Sequence, residues 1–462
     1  MGFMAPHDII ALRTVSKSLA NTTRERSMWI DALRCACTAH DVYCPSFPLT
    51  GMSIHELEHA ATACRRFISR LRTNFFQGRI VSPVSIRYLE PAVSGEEFEH
   101  LRMIPGGRYL LTVYRNTVRL WDLGIGSNAP SMNPIASHTI EDATQIHGVL
   151  TRASKSSSGV LVFVPTTGSD GLFRFHIFSV SPPASTPHFS PFVPVLCLSM
   201  ENGLPVILGV NASHIALSTS FGTVLWDYVH DSWIRWMRPG TRSDDRLYLC
   251  NNNVAIMHAN QAELSVASLP ILHPRCDTAA VPEVLESLQI LDTYKLERYD
   301  NLQPLVSCVG SSITRAFHGR ETSTIEQPLH VDIHSDNAER TLISHFALLP
   351  AAGDDIAHCE LVSFGESPLD VSYLRSWAQL LEWVSPSTAL SFDIEGNTVH
   401  VSLIDVDAAP SDCISGILAM PGLLDDETEV DFCSFSARGC ARISSDTGFK
   451  LVVMDYLLPK MR

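Results

Sequence analysis

His55-Glu-Leu-Glu-His59 sets two imidazoles one helical turn apart with a carboxylate between them, the spacing that lets a helix hold a zinc ion while the glutamate activates its water. The helix that carries the pair argues against this use. Its apolar residues Leu57, Cys64 and Leu71 lie nearly opposite on a helical wheel, so both imidazoles are expected to face solvent. No Gly-x-x-His continuation follows, and no second helix supplies a third ligand. Cys35, Cys37, His40 and Cys44 form a second candidate cluster, but the spacing is too tight for two zinc-binding couplets, so buried or loop thiols are expected. The doublets Asp244-Asp245, Asp354-Asp355 and Asp425-Asp426 fall in loop-like contexts where solvated charge is the ordinary case. There is no phosphate loop, nucleophile elbow or Gly-x-Gly-x-x-Gly turn. The expectation is a chain with no metal, no cofactor and no catalysis of its own.

Two kinds of element must position whatever the chain does. Ser53 can cap a helix while Glu56 reaches back to it, and the apolar residues Ile54, Leu57, Ala61, Cys64, Ile68 and Leu71 then predict a helix to about Leu71. Arg65, Arg66, Arg70 and Arg72 crowd its end, where positive charge suits the helix dipole. Upstream, Pro6 and Asp8 mark a helix start, with Asp8 placed to cap free backbone donors, and Ile9, Leu12, Val15 and Leu19 recur on one helical face. From Ile80 onward the texture changes to short alternating segments punctuated by Gly, Asn, Pro and Ser, which predicts an all-β region. Ser154 to Gly159 and Ser181 to Pro187 read as exposed loops, and Val281 to Arg298 as a short helical insertion.

Composition fits this division into a helical module at 1–79 and a β region at 80–462. With 45% hydrophobic and 18% charged residues the 462-residue chain has the material for sizeable cores. Residues 1–79 carry a balance of +4, leaving −19 for the remainder of a chain whose net charge is −15. An acidic body repels phosphate backbones and anionic lipid, so neither nucleic acid nor a membrane is an expected partner. No leader pattern and no long uncharged apolar run is found, so a cytoplasmic or nuclear location is expected, with the twelve cysteines reduced.

The order Pro6-x-Asp8-Ile9-x-x-Leu12-x-x-Val15-x-Lys17-x-Leu19, with Trp29 ten residues later, resembles the back half of an F-box. The resemblance covers residues 3–34 and, more loosely, 50–76. It implies that Pro6, Asp8, Ile9, Leu12, Val15, Lys17, Leu19 and Trp29 form, or support, a contact with the Skp-family adaptor of a cullin ubiquitin ligase. In the β region, Pro105 to Asp122 gives a Gly-Gly turn, a strand, an Arg115-Asn116 turn and a strand ending in Trp121-Asp122; Ser213 to Asp227 repeats that order 105 residues later. Both units are similar to WD-repeat blades, and weaker echoes end at Leu403 and at Met454-Asp455-Tyr456. The 383 residues from Ile80 would hold seven such blades.

The fold class expected is therefore multidomain α plus all-β: a small F-box-like helical module followed by a seven-bladed β-propeller. The function implied is a non-catalytic substrate receptor of an SCF-type ubiquitin ligase, with the propeller holding an unknown protein substrate. The family's front helix, a Leu-Pro followed by an acidic residue, is not in the sequence. A propeller scaffold whose shortened motif packs against the sheets therefore stands as the alternative.

Overall fold

The computed structural model describes residues 4–458 apart from 41, 90–97, 126–130, 132, 155–158, 201–203, 211–212, 220–221, 237–245, 251–252, 259–262, 276–283, 286–287, 296–328, 338–339, 351–358, 370–379, 386–387, 396–397, 406–413, 421–429 and 446–447. The chain is mostly β-sheet with a few helices at its N-terminal end. Those helices are α1 (Pro6–Leu12), α2 (Lys17–Thr22), α3 (Arg26–Ala39) and α4 (Ile54–Phe76), with a 3-10 turn at Cys44–Ser46 between the last two.

The single helix expected over residues 8–19 is two. α1 gives way after Leu12 to turns in which Arg13, Thr14 and Val15 each donate to the carbonyl three residues back, and Thr14 Oγ1 donates to Ala11 O at 2.8 Å. Ser16 then opens α2 by accepting from Leu19 N at 3.2 Å. Asp8 is not the cap expected of it. Ala5 occupies the N-cap with no side-chain bond, and Asp8 sits in the first turn, paired with His7 at 3.2 Å.

α4 starts as the sequence predicts. Ser53 Oγ accepts from Glu56 N at 3.3 Å and Glu56 returns the bond to Ser53 N at 2.8 Å, a complete capping box. It runs on past Leu71 to Phe76, however, so the arginines are not in its last turn. The extra turn is held by packing, because Phe75 is buried over Gly416, where any Cβ would meet the ring at 2.0 Å.

Seven sheets follow among the described residues, almost all of their pairings antiparallel and most of them between strands adjacent in sequence. The first complete one orders His100–Met103, Tyr109–Tyr114, Thr117–Asp122 and Ala136–Thr139. Arg115, at φ 53°, turns the tight hairpin in which Tyr114 pairs with Thr117. Val284–Leu285 and Ile290–Lys295 are strands, which replaces the helical insertion expected there; this apolar-polar alternation finds open strand edges to pair with. The three acidic doublets lie outside the described residues.

One sheet joins strands from the two ends of the β region. Ser85–Leu89 pairs with Gly448–Asp455, in register from Ser85 opposite Asp455 to Leu89 opposite Leu451, and so completes the sheet built by Val430–Cys433, Arg438–Ser445 and Gly448–Asp455. The first strand of the β region is thereby stitched to the last.

The helices and this closing sheet share one apolar core. Ile9, Trp29, Leu33, Leu57, Phe67 and Leu71 belong to the same buried cluster as Phe392, Phe432, Val453 and Tyr456. Phe67 lies 5.4 Å from Phe432 and 6.0 Å from Tyr456 between ring centroids. Burying faces of this kind at about 25 cal/mol per Å² gives the module more stability than short helices would have alone.

Candidate functional site

Three constellations could carry function: the strands that close the sheets, the joint where the helices meet them, and the surface of the first helices.

The pairing of the first strand with the last is bolted by charge. Asp455, at the end of the last strand, accepts from Arg438 Nε at 2.6 Å and from Arg87 Nη2 at 3.0 Å. Both arginines then reach into the next sheet, Arg438 Nη1 to Gly107 O and Gly124 O at 2.7 Å each, and Arg87 Nη1 to Leu123 O at 2.8 Å. Beside them Asp431, buried opposite Arg102 at 3.5 Å, accepts from Met103 N at 2.5 Å, again crossing between the two sheets; burial pushes its carboxyl up, against the pull of Arg102.

The same aspartate position recurs. Asp122 accepts a forked pair of bonds from Arg108, at 3.0 and 2.7 Å, and Asp227 accepts from His230 at 2.7 Å with His214 at 3.8 Å. In each sheet the aspartate pairs across the hairpin with the start of the preceding strand: Tyr109 with Asp122, His214 with Asp227, Arg438 with Asp455. Trp121, Trp226 and Met454 before it, and Leu123, Tyr228 and Tyr456 after it, are all buried. Trp121 Nε1 donates to Thr112 Oγ1 at 2.9 Å and Trp226 Nε1 to Asp231 Oδ1 at 3.1 Å. The Trp-Asp endings singled out in the sequence are thus one structural position used at least three times.

The joint centres on the Gly106-Gly107 turn, where both residues have positive φ. A Cβ on Gly106 would meet Ser46 at 2.7 Å, and one on Gly107 would meet Ser436 Oγ at 2.1 Å. The turn is wedged between the segment after α3 and the closing sheet, and only glycine leaves room for both. Tyr43 N and Ser46 Oγ donate to Pro105 O at 3.2 and 3.3 Å. Next to this turn a cavity of about 60 Å³ opens between α4 and the closing sheet, with Phe47, His59, Phe435, Arg438 and Asp455 among its walls.

His59 corrects the expectation for the histidine pair. His55 is exposed, but His59 is half-buried in the seam because α4 packs on two sides, against α3 and against the sheets, and the second contact covers a face that the apolar stripe leaves polar. Its Nδ1 meets Arg66 Nη1, and burial, reinforced by that guanidinium, lowers its pKa to about 4. Among the described residues no group of three or more His, Cys, Asp or Glu side chains is arranged to hold a metal. Of the cysteine cluster, Cys35 is exposed, Cys37 buried and Cys44 half-buried, while the His40 ring packs 5.4 Å from that of Phe435.

The residues matched to the F-box divide into two groups. Ile9 and Trp29 are core, with Trp29 Nε1 donating to Thr23 O at 2.8 Å. Pro6, Leu12 and Leu19 are half-buried, and Asp8, Val15 and Lys17 are exposed. Val15, at 67% exposure, and Ile10, at 37%, are the large apolar side chains exposed on this surface. Two arginines that no pattern flagged hold the module together. Arg13 stacks 5.2 Å from the Trp29 ring centre and donates to Thr23 O at 3.1 Å and Glu58 at 2.7 Å; Arg26 donates to the carbonyls of Leu49, Thr50 and Met52. Their roles are set by backbone carbonyls distant in sequence, which leave no local trace.

No family model and no curated protein matches the chain. Solved structures similar in outline are the β-propeller domain of Cps50 (Swd1) from Myceliophteria thermophila (11% identity, 80% of this chain and 99% of that one, TM-score 0.44) and a chain of an autoinhibited apo ctPRC2 (9% identity, 70% and 71%, TM-score 0.39). At these scores the architecture rests on the chain's own strand pairing. No helix among the described residues is long and apolar enough to cross a membrane.

Proposed function

We propose that this chain is a non-catalytic protein-interaction scaffold, a seven-bladed β-propeller with its N-terminal helices fixed to the closing blade. The observation that carries the reading is the pairing of Ser85–Leu89 with Gly448–Asp455. A strand from the beginning of a meander that completes the last sheet is what a ring of blades requires and what an open row of sheets does not. A ring of sheets offers loop surfaces at both ends for partners while its strands stay fixed. The test is Leu89→Pro, opposite Leu451 on the side of the last strand whose backbone groups face this one, which removes a ladder donor in the closing strand. The scaffold reading expects loss of the whole cooperative transition, and separate melting of the 430–455 sheet with the rest unchanged would overturn it.

The second reading, a substrate receptor of an SCF-type ligase, is favoured by the exposure of Val15 and Ile10 within the very stretch that resembles an F-box. There the adaptor would cover Ile10, Val15 and Lys17, while Ile9 and Trp29 would support the contact from beneath. Co-purification with a Skp-family adaptor, abolished by Val15→Asp, is its test; the same adaptor failing to bind the intact chain would remove this reading and leave the scaffold.

A further inference from the structure

After α3 the chain turns back on itself. Val42 N donates to Cys37 O at 2.8 Å, Ser46 N to Tyr43 O at 2.9 Å and Phe47 N to Cys44 O at 3.0 Å. This reversal folds the 3-10 turn against the end of the helix and sets Cys44 beside Cys37, close enough for each sulfur to shift the other's titration. The two differ sharply in access. Cys37 is 1% exposed within the shared core, whereas Cys44 is packed against that core from the outside and half-buried. Cys35 is exposed on α3, about 200° around the helix from Cys37 by helical geometry, and so points away from the pair.

We propose that Cys44 is an oxidation site for hydroperoxides and that Cys37 is its resolving thiol, the two closing a reversible disulfide. The Cys44 thiolate attacks the peroxide oxygen; the O–O bond breaks, sulfur is oxidised to the sulfenic acid, and the departing hydroxide or alkoxide takes a proton to leave as water or alcohol. The Cys37 sulfur then attacks the Cys44 sulfur. The S–S bond forms as the S–O bond breaks, and the released hydroxide carries off the Cys37 proton as water.

The surroundings divide the two roles. The neighbouring Cys37 thiol lowers the Cys44 pKa to about 7, against the opposing effect of burial and with help from the Arg34 guanidinium. Burial, together with the neighbouring sulfurs of Cys44 and Cys433, pushes the Cys37 thiol up. An accessible thiolate backed by a protonated, enclosed partner is the arrangement of a peroxide-reactive cysteine with its resolver. The site lies at the joint, since the turn that carries Cys44 is the one held on Pro105 O through Tyr43 and Ser46.

The full chain, reduced and desalted, is treated with hydrogen peroxide, blocked with an alkylating agent and mapped by peptide mass spectrometry. A Cys37–Cys44 linked peptide, released by dithiothreitol, is the expected product. In Cys37→Ala the sulfenic acid at Cys44 should persist and react with dimedone, and the pH midpoint for Cys44 alkylation should rise from near 7 toward that of an ordinary thiol. In Cys44→Ser, Cys37 should remain reduced. Oxidation confined to Cys35, a Cys35–Cys44 link, or an unchanged alkylation midpoint in Cys37→Ala would each overturn the assignment.

Discussion

Arg87 and Asp455 meet at 3.0 Å across the two strands that join the beginning of the β region to its end. Asp455 is shared with Arg438 at 2.6 Å, so one carboxylate compensates two arginines that are both largely removed from water. Removing one member of such a cluster is far costlier than removing all of it, because the remaining charges stay buried without an opposite.

Asp455→Ala is accordingly expected to destabilise the chain by roughly 3–5 kcal/mol, read as a drop in the urea midpoint. Asp455→Asn keeps the shape but loses the charge and one of the two acceptor oxygens, and should fall between wild type and Ala. A midpoint unchanged by Asp455→Ala would mean that the stitch between first and last strands contributes nothing to stability.

Trp226 tests the repeated blade position. Its side chain is fully buried, its Nε1 bonds Asp231, and the Arg275 guanidinium lies 5.8 Å from its ring centre. Trp226→Ala should cost roughly 3–5 kcal/mol or prevent folding, as large core truncations do. Trp226→Phe keeps most of the packing and loses the indole bond, so it should recover most of that loss.

These features were legible in the sequence to different degrees, and the reasons are physical. The Trp121-Asp122 and Trp226-Asp227 endings stand out because hairpin register repeats the same local order, and the capping box at Ser53 and Glu56 is visible because both partners lie within four residues. The division of α1 from α2 was hidden. Ile9, Leu12, Val15 and Leu19 fit one helical stripe, and only Ser16 as a competing N-cap breaks it. His59 was misjudged for a related cause, since a wheel shows one apolar face and cannot show a second contact made by the polar one. Arg13, Arg26, Arg87 and Arg438 act on carbonyls or carboxylates brought near by tertiary folding, and no spacing rule reaches them.

Stability should fall in mild acid. Burial holds His59 and His176 neutral, with pKa lowered to about 4 in each case from an ordinary 6.5. Between those values the unfolded chain binds protons that the folded chain refuses, so stability is full above about pH 6.5 and is lost as pH falls toward 4. At 1.36 kcal/mol per unit, His176 alone accounts for at most about 3 kcal/mol. Its Nε2 lies 3.2 Å from Thr166 Oγ1, and its ring is parallel to that of Phe178. Denaturant midpoints measured from pH 7.5 to 4 should slope downward, and His176→Gln should flatten that slope; an equal slope in the variant would assign the acid sensitivity elsewhere.

The first helix and the turns that follow it separate support from surface within a few residues. Ile9 is 2% exposed, whereas Val15 is 67% exposed and Ile10 37%. Val15→Asp and Ile10→Asp should therefore change stability by no more than about 0.5 kcal/mol, as ordinary exposed substitutions do. Ile9→Asp places a charge in the core shared with the closing sheet and should destabilise the whole chain, seen as a lower midpoint in a single transition. This contrast is what makes an adaptor assay interpretable. Because Val15→Asp leaves the fold intact, loss of binding by that variant would report the surface itself. If the chain binds a Skp-family adaptor and Val15→Asp and Ile10→Asp both abolish binding at unchanged midpoint, the exposed face of the first turns is the contact. If the adaptor binds and both variants still bind, the contact lies elsewhere and the likeness to an F-box reflects packing alone.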